Sequence, residues 1–195
     1  MTDIKPGYDR RLDGVQWRTS SLVEKWTPEQ VAEIATEWAT ADDLIAQGIM
    51  PAERVEDFTS NLLTTAGLNR ITSLIIAGGG QGLTNTSARI GVGDDSTAAS
   101  VGQTDLSAAS GSTHRYFQPM DATYPSQANG VITAKATFGT GDGNFAWAEW
   151  CLDVSTPTAA GGTTVGPLML NRKVASLGSK VSGAIWALTV TVTLS

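Results

Sequence analysis

Hydrophobic and polar positions alternate most regularly in the last twelve residues. In AIWALTVTVTLS, Ala184 to Ser195, the side chains of Trp186, Leu188, Val190, Val192 and Leu194 fall on one side. Ile185, Ala187, Thr189, Thr191 and Thr193 fall on the other. A period of two in β-branched residues predicts a half-buried antiparallel strand. A terminal segment is loose unless a sheet or a docked helix holds it. This strand is therefore expected inside a sheet, with the end of the chain in the core. The same grammar runs back to Ala88. Arg89 to Thr97 reads as a short strand running into a turn, and Val131 to Phe138 as a strand with Ile132, Ala134, Ala136 and Phe138 on one face. Phe145 to Val154 reads as a strand with Trp150, Leu152 and Val154 on one side and Phe145 and Trp147 on the other. Leu168 to Ala175 is a further strand. Gly139 to Asn144 has the composition of a hairpin connection, and Ser176 to Gly183 joins the last two strands. Residues 94–114 and Thr156 to Gly166 are polar and small and read as surface loops. Repeated strands with short glycine turns predict an antiparallel β-sandwich or barrel.

The first part of the chain is patterned differently. Residues 1–26 are punctuated by Pro6, Gly7 and Gly14 and read as an extended arm. The arm lies either on its own domain or on a neighbouring subunit. From Thr27 to Gly48 the pattern is helical. Thr27 is a natural N-cap, Pro28 suits the first helical position, and Glu29 and Gln30 complete a capping-box-like start. Val31, Ile34, Ala35 and Trp38 form one apolar face. Thr40 begins a second turn carrying Leu44 and Ile45, with Gly48 as the stop. Between Asp57 and Ala77, eight large apolar residues and one charge, Arg70, predict a mostly buried helix, with Gly67 as a point where it can break, ending at the run Gly78 to Gly82. The class is thus α+β and mainly β: an arm over 1–26, a helical segment over 27–82 and an antiparallel β domain over 83–195.

Composition narrows the function. Charged residues make up 16% of the chain, below the usual quarter. Low charge with many small residues suits strands and surfaces that pack on other subunits better than a lone enzyme. The net charge of −6 argues against nucleic acid, because the one basic cluster, Arg10, Arg11 and Arg18, has Asp3, Asp9 and Asp13 among it. A single cysteine, Cys151, excludes an intrachain disulfide. The N-terminus has no apolar signal region, and no apolar stretch reaches the roughly 20 residues of a membrane helix. Synthesis and folding in a cytosol are expected.

Candidate chemistry is sparse. Gly91 to Ser96 superficially resembles a phosphate loop, but no helix pattern follows to place an N-terminus under the phosphate. Asp94, Asp95 and Asp105, and Asp142 with Asn144, offer oxygen ligands for calcium, yet the spacing fits no EF-hand loop. A turn role is the commoner explanation. Glu149 in AWAEWC is either an acid of raised pKa or a buried partner for Arg172 or Lys173. Cys151 reads as a small buried hydrophobe, and a nucleophilic role would need His114, the only histidine. The acids from Glu24 to Asp57 form either a solvated face or a docking surface for a basic partner. Tyr8, Trp17, Trp26 and Trp38 are the aromatic residues suited to anchoring a partner.

The order of the segments resembles virion structural proteins of tailed bacteriophages. The likeness begins at Asn61-Leu-Leu-Thr-Thr-Ala-Gly-Leu-Asn-Arg-Ile and, after a glycine-rich break, Ala88-Arg-Ile-Gly-Val-Gly-Asp-Asp-Ser-Thr. It continues through Leu106, Val131 to Phe138 and Phe145 to Leu152, and closes with Leu168-Met-Leu-Asn-Arg-Lys-Val and Ile185 to Val192. It covers roughly residues 57–195. The resemblance implies a non-enzymatic virion component, bringing no catalytic residues, cofactor or metal. Similar proteins serve as capsid decoration, head-fibre or tail proteins. The expected partners are the major capsid protein or other repeated virion subunits, with further copies of the chain as a homo-oligomer. The expected place is the capsid surface, after assembly in the host cytoplasm. A tail, neck or fibre-attachment subunit is the alternative, and a glycan-binding or hydrolytic module a third reading.

Overall fold

The computed structural model describes residues 16–34, 39–59, 61–154, 161 and 168–194. Its strands are β1 (Trp17–Trp26), β2 (Glu53–Asp57), β3 (Leu62–Leu63), β4 (Ala88–Gly93), β5 (Arg115–Pro119), β6 (Ser126–Ala128), β7 (Val131–Phe138), β8 (Ala146–Val154), β9 (Met169–Ser179) and β10 (Ile185–Leu194). Three helices accompany them: α1 (Pro28–Ala32), α2 (Ala41–Ala46) and α3 (Thr65–Ile75). The strands form two five-stranded antiparallel sheets, ordered β2-β1-β10-β7-β6 and β3-β9-β8-β4-β5. The sheets pack face to face as a β-sandwich.

The last strand is internal, as its alternation predicts. β10 runs between β1, paired from Trp17↔Leu194 to Trp26↔Ile185, and β7. Trp186, Leu188, Val190 and Val192 point into the inter-sheet core. The opposite face is covered at its start, where Ile185 and Ala187 pack with Trp26, Ala41 and Leu44 under α2.

The arm is the main correction. Residues 17–26 are not irregular: they form β1, an inner strand of the first sheet. The alternation is masked because inward positions Thr19 and Ser21 are polar although buried. Two further buried positions are charged. Glu24 pairs with Arg54 at 2.9 Å and with Lys135 at 3.4 Å. Lys25 pairs with Glu53 at 3.0 Å and lies over the Trp186 ring. β1 and β2 belong to one sheet and β3 to the other, so strands that lie before residue 83 are part of the sandwich.

Local helix signals hold better than helix extents. Thr27 and Gln30 form a reciprocal capping box, with Gln30 N to Thr27 Oγ1 at 3.3 Å and Thr27 N to Gln30 Oε1 at 3.1 Å. Thr40 and Asp43 repeat it at the start of α2. Gly48 follows α2 with φ 81°, the left-handed geometry of a helix stop. The predicted face is divided between two short helices. Val31 and Ile34 pack on the Trp26 cluster, while Ala35 and Trp38 lie outside the described residues.

In β8 a register shift between Trp147 and Glu149 breaks the alternation. Trp147 therefore joins Trp150 in the core instead of facing away from it. Its ring meets Phe138 and Trp186 edge-on, at centroid distances of 4.7 and 5.0 Å.

Candidate functional site

The groups that suggested chemistry are consumed by the fold. On the outer face of β4, alternation leaves Arg89, Gly91 and Gly93 facing away from Ile90 and Val92. A Cβ on Gly91 would sit 2.6 Å from the Phe117 ring and 2.8 Å from Cys151 Sγ. One on Gly93 would sit 2.5 Å from the Glu149 carboxylate. The Gly-Val-Gly motif thus makes room for this packing.

Beside it two charge pairs are fully buried. Arg89 meets Asp153 at 2.6 Å, with Arg89 also stacked over Phe117. Arg172 Nε donates to Glu149 Oε2, and Glu149 also accepts from the amides of Ser107 at 3.2 Å and Ala108 at 2.7 Å. The predicted structural pairing of Glu149 with Arg172 is what the geometry contains. Arg172 further donates to Thr97 O at 2.8 Å. The stretch 94–108 is thereby drawn down over the sheet, with Leu106 and Ala108 buried, instead of lying as a plain surface loop. Burial raises the Asp153 carboxyl pKa against the opposing pull of Arg89.

The remaining candidates are also engaged. Burial and the nearby carboxylates push the Cys151 thiol well up, so it stays protonated. His114 Nδ1 and Asp94 are 2.7 Å apart on the surface. Asp95 caps Thr97 N at 2.7 Å, and Asp105 pairs with Arg115 at 2.9 Å. Asn144 Oδ1 accepts from Lys180 at 2.9 Å; Lys180 is buried, which lowers its pKa to about 8. Among the described residues no three His, Cys, Asp or Glu side chains gather as a metal site.

A polar cleft of about 350 Å³ brings Asp121 and Asp142 together with Thr40, Gln118 and Thr137. Both carboxylates serve the fold. Asp121 accepts from Thr137 N at 2.9 Å and Thr137 Oγ1 at 2.7 Å, and burial raises its pKa. Asp142 accepts from Gly139 N at 3.0 Å and from the Tyr116 hydroxyl at 2.6 Å.

The aromatic anchor residues separate. Trp26 is fully buried, and its indole N–H donates to Ile49 O at 2.9 Å. Its reading as a partner contact is corrected: it is core. Trp17 is half-buried, donates to Asn61 Oδ1 at 3.0 Å, and lines a groove described next. Tyr8 and Trp38 lie outside the described residues.

α3, which sequence patterning places in the core, is only partly covered by the described residues. Its N-terminal end is seated closely. Thr64 Oγ1 accepts from Gly67 N at 2.9 Å and donates to Met169 O at 2.6 Å. A Cβ on Gly67 would lie 2.2 Å from Leu170 O. Much of its apolar surface is left uncovered by the described residues: Ile75 is 76% and Ile76 78% exposed, and Leu68, in the first turn, and Leu74 are also exposed. Phe58, ahead of β3, is 75% exposed. Between α3 and the open end of the sandwich runs an apolar groove of about 390 Å³, walled by Trp17, Ile71, Leu74, Leu170, Val192 and Leu194. Arg70 lies at its rim and donates to Gln81 O at 2.8 Å. Apolar periodicity announces such a helix but not which elements cover it.

Gly67→Ala is expected to lift α3 off β9, because the clash is with backbone. Overpacking of this kind costs about 1–3 kcal/mol. Urea unfolding checks it: a midpoint equal to the parent's contradicts the close seating.

Comparison with protein-family models, with curated proteins and with solved structures finds no match to this chain.

Proposed function

We propose that this chain is a non-enzymatic structural subunit of a tailed-bacteriophage virion, a capsid decoration or cement protein seated on the shell of the major capsid protein. The observation that carries the reading is the apolar face of α3 with its groove. Contiguous exposed apolar surface marks sites of protein contact, and a subunit that lives in an assembly presents such a face. The buried charges support the same reading, since Glu149, Asp153, Arg89 and Arg172 are spent on holding loops to a sheet. The ordered resemblance to phage virion proteins supplies the kind of assembly. A tail, neck or fibre-attachment subunit shares these features and is the second reading.

Binding to shells that lack the protein tests the proposal. Purified protein is expected to bind them saturably, in fixed ratio to the capsid protein, and to cleave neither glycans nor peptides. A glycan-processing module predicts the reverse, with activity that depends on Asp121 and Asp142, the two carboxylates that line the polar cleft, because such sites use a pair of carboxylates. No binding to shells, with binding to tails instead, selects the second reading.

A further inference from the structure

We propose that Lys180 and Asn144 join covalently within the folded chain, as an amide between Lys180 Nζ and Asn144 Cγ.

The two residues are held together by the fold. Asn144 stands in the connection between β7 and β8, and Lys180 in the connection between β9 and β10. Their backbones meet, with Lys180 N donating to Phe145 O at 3.0 Å. Lys180 Nζ donates to Asn144 Oδ1 at 2.9 Å. Asn144 Nδ2 donates to Thr140 O at 3.0 Å, which keeps the carbonyl side of the amide towards the lysine. Cγ lies one carbonyl bond beyond Oδ1, about 1.2 Å. Amine and target carbon are thus neighbours in a fixed turn, and such placement removes most of the entropic cost of bringing two reactants together.

Lys180 also differs from the other buried cations. Lys25, Arg89, Arg115, Lys135 and Arg172 each have a carboxylate at ion-pair distance. Lys180 is 2% exposed and has none among the described residues; its acceptors are the neutral oxygens of Gly139 O, at 2.7 Å, and Asn144. An unpaired ammonium out of water is costly. Burial accordingly lowers its pKa to about 8, against the through-space pull of Asp142. The neutral amine is the nucleophile that the ammonium is not. Conversion to an amide removes the buried charge and leaves one N–H, for which Gly139 O is the acceptor in place.

The step needs no oxidant or cofactor. Lys180 Nζ first loses its ammonium proton to water. Its lone pair attacks Asn144 Cγ, the Nζ–Cγ bond forms and the Cγ–Nδ2 bond breaks. Nδ2 leaves as ammonia, carrying the proton that Nζ gives up. Asp142, on the same turn as Asn144, is assigned the passing of that proton. The bond spans 36 residues of chain and ties the connection before β10 to the one before β8.

Intact-mass spectrometry of the full chain, purified and held at pH 8 for several days, tests this. The expected mass is lower than the sequence mass, counted with or without Met1, by one ammonia. Trypsin is expected to release a branched peptide that joins Lys180 to Asn144. Lys180→Arg and Asn144→Ala are each expected to keep the full mass, with circular dichroism showing whether they fold. Asp142→Asn is expected to slow the loss at least tenfold, and an unchanged rate overturns the role given to Asp142. A parent that keeps the full sequence mass overturns the proposal without reference to any variant. So does a loss of ammonia that persists in Lys180→Arg, since that is Asn144 cyclising on its own backbone. The measurement is made on the isolated chain, so failure to bind shells would not alter it.

Discussion

Deleting residues 1–26 is expected to abolish folding. The deletion removes β1, which is laddered to β10 along ten residues and to β2 on its other side. Val23 and Trp26 leave the core with it, both fully buried. Truncating a buried Trp to Ala alone costs about 3–5 kcal/mol, against a total stability of about 5–15 kcal/mol. Loss of a whole inner strand exceeds that margin. The backbone groups of β10 would also be left without partners. Circular dichroism and thermal melting check the outcome, and a cooperative transition near the parent's temperature would contradict the placement of β1. Deleting residues 1–15 instead leaves β1 intact, so it separates any role of that segment in joining particles from the structural role of the strand.

Glu149→Gln carries the second large effect. In the folded chain Arg172 is fully buried, and its guanidinium has Glu149 as the adjacent counter-charge, with Asp95 farther off at 3.7 Å. Removing one partner of a buried pair costs about 3–5 kcal/mol, because the other charge remains desolvated. The amides of Ser107 and Ala108 also lose a charged acceptor. Chemical unfolding should show a drop of that size. The same substitution made in an exposed carboxylate such as Glu56 is expected to change stability by less than about 0.5 kcal/mol. A Glu149→Gln protein as stable as the parent would mean that the pair does not hold residues 94–108 to the sheet.

The β-rich class and the inner position of the last strand were legible because β10 obeys strict alternation and β-branched residues fill it. β7 and β4 were legible for the same reason. β1 was not, because Thr19, Ser21 and Lys25 occupy inward positions that apolar residues usually take, and their burial depends on partners distant in sequence. The bulge in β8 has no local signature either: it is set by pairing with β9, and it moves Trp147 into the core. The Glu149 pairing was legible as chemistry, since a carboxylate in an aromatic strand needs a cation. The α3 face was misplaced for a physical reason. Periodicity tells that a helix has an apolar side, and says nothing about whether that side is covered by the same chain.

Imaging purified virions at near-atomic resolution tests the central claim most directly. The account predicts a two-sheet sandwich of this chain on the outer surface of the capsid shell, in regular stoichiometry with the major capsid protein, with the α3 face buried in a contact. Particles that lack the chain, or that carry it with α3 wholly open to solvent, would contradict it.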